Sequence, residues 1–173
     1  GAAGLPIESF FKPYDFTQMK LSPNGKHVAL LVPHQGTLQL GVLDVARRET
    51  RILALKEKRN VSWFDWAGNE RLLFGLEQTG LLGGGLYIVN RDGSQPRPLI
   101  APLVVHQSNV VQWLNTSMLS KVTDRADEIL VQSDEAAVDR TQAKTQSLQL
   151  LNVYRLNLTT GERRLETANP GRV

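Results

Sequence analysis

His27, His34 and His106 are the side chains best equipped for proton transfer or metal ligation near neutral pH. A metal site or a catalytic triad needs partners at a ligand spacing or within a recognisable motif. Here His27 opens an apolar run, His34 lies beside a turn and His106 falls in a link between runs, so no such spacing exists. The Gly-x-Ser-x-Gly elbow that presents the nucleophile of α/β-hydrolases is absent from the 173 residues. Surface or satisfied-core roles are expected for all three histidines.

Asp124, Asp127, Glu128, Asp134 and Glu135 gather around one β-rich run, a composition suited to calcium or to general acid–base work. Turn formation and solvent exposure account for the same residues, and that is the expectation here. The run Gly80-Leu81-Leu82-Gly83-Gly84-Gly85 has the glycines of a phosphate cradle, but the required Lys-Ser/Thr and helix do not follow, so it reads as a hairpin connection. Trp63, Trp66 and Trp113 fall in first-strand positions and are expected to fill space between neighbouring sheets. Asn60-Val61-Ser62, Asn115-Thr116-Ser117 and Asn157-Leu158-Thr159 have the form of glycosylation acceptors, relevant only in a host that glycosylates secreted proteins. The expectation is therefore no catalytic, cofactor-binding or metal-binding residue, and no cofactor.

The composition sets the frame for these residues. With 41% hydrophobic and 21% charged residues the chain has a globular balance, which excludes a disordered or fibrous class. Its 20 Lys and Arg against 17 Asp and Glu are scattered singly or in pairs such as Arg47-Arg48 and Arg163-Arg164, without the basic stripe that nucleic acid requires. No apolar run approaches the ~20 residues needed to span a bilayer, so neither nucleic acid nor membrane is an expected partner. The absence of cysteine fits the cytoplasm and equally a periplasmic protein without disulfides. Gly1-Ala2-Ala3-Gly4 is not an intact signal peptide; its small residues fit a remnant of signal cleavage or a cloning scar. A periplasmic or secreted location is preferred to the cytoplasm, with the compartment left open.

Short β-rich runs separated by turn residues dominate the chain, and their spacing argues for an all-β fold. Pro23 and Asn24-Gly25 close a hairpin before His27–Val32, Pro33 to Gly36 breaks that run, and Leu38, Leu40 and Val42 alternate onto one face before Arg51–Leu55. The same order returns about forty-three residues later: Trp63–Trp66, the turn Ala67–Glu70, Arg71–Leu76, Leu86–Asn90, the turn Arg91–Ser94 and the proline-bearing edge Pro96–Ala101. A looser third copy runs through Val110–Trp113, Met118–Val122, Glu128–Ser133, Leu151–Leu158 and Glu162–Thr167. Such units match four-stranded propeller blades better than a sandwich. The expected fold is a partial β-propeller of about three four-stranded antiparallel blades.

The organisation expected from this phase is an N-terminal extension over 1–16, blade 1 over 17–56, blade 2 over 57–104 and blade 3 over 105–168. Residues 7–12 are read as a short helical turn, 134–149 as an inserted polar loop, and 169–173 as a link to a missing further blade. Three blades alone leave open edges, so self-association through them is expected.

The segments Ile7-Glu8-Ser9-Phe10-Phe11-Lys12 and Leu21-Ser22-Pro23-Asn24-Gly25-Lys26-His27-Val28-Ala29 resemble the start of the propeller in bacterial prolyl oligopeptidase-type serine peptidases, a group that includes dipeptidyl and acylaminoacyl peptidases. Leu86–Asn90 and Val153–Gly161 are similar to blades of that family, and in part to TolB-like propellers. The resemblance implies a propeller that caps an α/β-hydrolase domain of the same parent chain and restricts entry to short peptide substrates. It also implies that the catalytic serine, aspartate and histidine lie outside these residues. The alternative is a TolB-like or WD-repeat-like propeller that binds a protein partner.

Overall fold

In a computed structural model of the chain, residues 5–6, 18–53, 55–79, 84–101, 116–120, 125, 127–133 and 152–167 are described. Regular structure among them is almost wholly β. The strands are β1 (Leu5–Pro6), β2 (Met19–Leu21), β3 (His27–His34), β4 (Thr37–Asp44), β5 (Glu49–Ile52), β6 (Val61–Ala67), β7 (Arg71–Leu76), β8 (Leu86–Asn90), β9 (Arg97–Ile100), β10 (Thr116–Ser120), β11 (Glu128–Ser133), β12 (Asn152–Asn157) and β13 (Arg163–Thr167). They form three open sheets, ordered β1-β5-β4-β3-β2, β6-β7-β8-β9 and β10-β11-β12-β13. This is the all-β blade architecture expected from the repeat, and the sheets are not closed.

Two compact units are present, Gly1–Glu77 with Tyr87–Arg97, and Gln78–Leu86 with Pro98–Val173. In the first unit, the turn after β2 is fixed by a dense local network. The Gly25 N–H donates to the Ser22 carbonyl, the Ser22 hydroxyl donates to Asn24 Oδ1, and the N–H of Lys26 donates to the same oxygen. Gly25 takes the φ of 73° that a side chain resists.

The break expected at Pro33–Gly36 is narrower than the sequence suggests, because β3 continues to His34 and only Gln35 and Gly36 turn. Both have positive φ, 50° and 86°, as a type I′ hairpin demands. Pro33 sits in the strand because its partner Leu38 directs its own N–H away, to Asn60 Oδ1, so this pair exchanges no hydrogen bond and the missing donor is not needed.

The first and second sheets pack face to face. Ala29, Leu31, Leu40 and Val42 meet Phe64, Trp66, Leu72, Phe74, Tyr87 and Val89 in one buried cluster. Each of the larger aliphatic and aromatic side chains contributes about 1.5–3 kcal/mol of burial. Trp66, 2% exposed, fills the seam as expected, and its indole N–H donates to the Lys20 carbonyl at 2.7 Å. Lys20 returns the contact, its ammonium donating to the Phe64 carbonyl at 2.8 Å and lying over that ring. Trp63 lies elsewhere, against its cross-strand partner Gly75, while Trp113 falls outside the described residues.

In the second unit, Ile129, Val131, Leu156 and Leu158 are buried, and Arg155 spans the sheet between Glu128 at 3.3 Å and Glu166 at 2.9 Å. The first strand of this sheet is Thr116–Ser120, starting two residues before the expected Met118. The helical turn at 7–12, the run Val110–Trp113 and the inserted loop 134–149 lie outside the described residues. What the sequence did not suggest is β1, which adds a fifth strand to the outer edge of the first sheet through Leu5↔Thr50 and Pro6↔Glu49.

Candidate functional site: a charged cleft between two sheets

The type I′ turn sets the register of β3 on β4 and so places His27 opposite Asp44; the next strand places Glu49 opposite Asp44. Side chains alternate along a strand, so His27 shares the face of Ala29 and Leu31, and Asp44 that of Leu40 and Val42. That is the face buried against the second sheet. His27, Asp44 and Glu49 therefore form a polar row at the end of an otherwise apolar interface.

The turn after β8 supplies the opposite wall. Arg91 donates to the Asn69 carbonyl and to Glu70, which holds its guanidinium at the cleft, and Arg51 reaches from β5 to the Asp92 carbonyl at 3.1 Å. Between these walls lies a cleft of about 270 Å³, with Val42 as its apolar floor and Arg47 on its rim.

His27 is the most informative group in it. Its Nε2 lies 3.7 Å from Asp44 Oδ2, while its Nδ1 is buried with no hydrogen-bond partner among the described residues. Burial and the nearby Arg91 hold the imidazole below its ordinary value of 6.5, against the opposing pull of Asp44 and Glu70. It is thus neutral at neutral pH, and the Asp44 contact is polar rather than ionic. Asp44 is held below the usual carboxylate range chiefly by the N–H of Arg47, and Asp92 by the hydroxyl and N–H of Ser94. Among the described residues no hydroxyl is bonded to either nitrogen of His27, so the row as described lacks the nucleophile–base contact of a triad.

At the opposite end of the same two sheets the connections are longer, 53–60 and 77–85. Asn60 stitches them, accepting from the Leu38 N–H and donating to Glu77, while Gln39 donates to the Arg59 carbonyl. Gln39 Oε1 is buried there without a partner among the described residues. Burial first, then Glu57, pushes the Tyr87 phenol up against the opposing pull of Arg59.

The residues singled out in the sequence do not converge. His34 sits at the far end of β3 from His27, beside the hairpin, and His106 is outside the described residues. Asp127 is exposed and takes a hydrogen bond from Asn157, and Glu128 is buried and paired with Arg155; Asp124, Asp134 and Glu135 are outside the described residues. Among the described residues no group of three His, Asp or Glu side chains is arranged to hold a metal ion. Of the glycine run, Gly84 and Gly85 are described, and they lead into β8 rather than into a helix.

No family model and no curated protein matches the chain. Solved structures do. An oligogalacturonate lyase in complex with manganese aligns with a TM-score of 0.61 at 12% identity, over 88% of this chain and 41% of that one. An acylaminoacyl peptidase from Pyrococcus horikoshii aligns with a TM-score of 0.57 at 14% identity, over 88% and 25%. The β-propeller domain of the Trilobed protease from Pyrococcus furiosus aligns with a TM-score of 0.56 at 14% identity, over 87% and 42%. The chain spans less than half the length of each, and identities this low establish the propeller fold alone.

Proposed function

We propose that this chain is the non-catalytic propeller portion of a prolyl oligopeptidase-type serine peptidase. In that role it caps the α/β-hydrolase active site of the same parent chain and admits only short peptides. The observation that carries the reading is the coincidence of two features. The segment Leu21–Ala29, which resembles the start of such a propeller, forms the turn and strand that open the first sheet, and the sheets share their fold with propeller-bearing peptidase structures. The partners on this reading are the hydrolase domain and its peptide substrates, in a periplasmic or secreted setting. Among the described residues no helix is long and apolar enough to cross a membrane.

The test is the reading frame that encodes the chain, together with fluorophosphonate labelling of its full product. A downstream Gly-x-Ser-x-Gly and a labelled serine support the proposal; a frame that ends near Val173 overturns it. A frame that adds only further blades favours the second reading, a propeller that binds a protein partner. That reading is supported by the similarity to a lyase as well as to peptidases, since the fold at this level is not tied to one chemistry.

A further inference from the structure

The cleft at the end of the first two sheets has a charge pattern that neither reading uses. Arg47, Arg51 and Arg91 line it together with Asp44, Glu49 and Asp92, and neutral His27 completes the lining. Three positive and three negative groups leave no net charge to attract a simple anion or a simple cation. They are also unevenly engaged. Asp92 is occupied by Ser94, Arg91 by Asn69 and Glu70, and Asp44 by the Arg47 N–H. Among the described residues the Glu49 carboxylate and the Arg47 guanidinium have no hydrogen-bond partner, and Arg51 spends only Nη1 on the Asp92 carbonyl, which leaves further donors.

We propose that this cleft binds a small zwitterion, an α-amino acid or a solute of similar size, with its ammonium group on Glu49 and its carboxylate on Arg51 and Arg47. The volume supports the size, because about 270 Å³ lies just below the ~300–1,000 Å³ of clefts that take larger organic ligands. The site stands whether or not the chain serves a peptidase.

L-Leucine, N-acetyl-leucine and leucinamide are the probes, and the His27 imidazole proton resonances are the readout. Leucine should shift them saturably. Each half-blocked analogue should bind at least about ten-fold more weakly, because one charge-assisted contact is lost. Glu49→Gln and Arg51→Gln should each weaken leucine to a similar extent, with far-UV circular dichroism confirming the fold. Equal binding of leucine and either analogue overturns the zwitterion assignment, as does the absence of a saturable shift in the folded protein. Loss of peptidase function in the parent would leave this result untouched, so the two proposals fail separately.

Discussion

Gly75 has no side chain because Trp63 occupies its place. A Cβ there would lie 2.0 Å from the indole Nε1, 2.7 Å from Cδ1 and 2.9 Å from Cε2, so the ring as a whole would have to shift. Gly75→Ala should therefore destabilise the protein by about 1–3 kcal/mol, as overpacking does. Urea midpoints will show it, and combining the change with Trp63→Val should recover part of the loss. His27 yields a prediction of different form. Folding lowers its proton affinity below the ordinary 6.5, so the unfolded chain takes up the proton first as the pH falls. Its effect is absent above 6.5, and stability is lost as the pH drops from there through the lowered folded value. His27→Gln should flatten the decline in urea midpoint between about pH 7.5 and 5, a window in which Asp44, itself lowered, stays ionised. A decline of the same slope in the variant would assign it to other groups.

The hairpin joining β3 and β4 shows what an element adds to its residues. Gln35 holds φ 50° although a glutamine side chain gains nothing there, while asparagine tolerates this region and Asn-Gly is the preferred type I′ pair. Gln35→Asn should raise stability by about 0.5 kcal/mol, read as a higher thermal midpoint. The same turn explains how the sequence conceals the cleft. Alternation and turn residues give the strands away, and Arg71–Leu76, Leu86–Asn90 and Glu128–Ser133 match β7, β8 and β11 at both ends. Reading Pro33–Gly36 as one break, however, hides the register. Once the turn is narrowed to Gln35 and Gly36, residue 27 must face residue 44, and a histidine that opens a strand acquires an aspartate beside it. Arg51 and Arg91 were beyond reach in any case, because their approach depends on the stacking of two sheets rather than on one strand's pattern. The two-residue β1 was equally hidden, since so short a strand carries no period.

At the scale of the molecule, three open sheets present strand edges that nothing among the described residues pairs beyond β9 and β13. Unpaired edges template association, and β9 is partly guarded by Pro98, which offers no N–H. Light scattering on the isolated chain should therefore show species larger than a monomer, and a monodisperse monomer would show that closure is not required. Within the first unit, one contact redistributes cohesion between sheets. Met19, Lys20 and Leu21 are all exposed, so β2 gains little from burial in its own sheet, yet its middle residue is gripped by Trp66 and Phe64 of the next. The opening strand of one blade is thus a dependant of its neighbour. In Trp66→Phe, amide hydrogen exchange should quicken across Met19–Leu21 before it quickens at the β3–β4 pairing, so that damage to one blade is first visible as fraying in another.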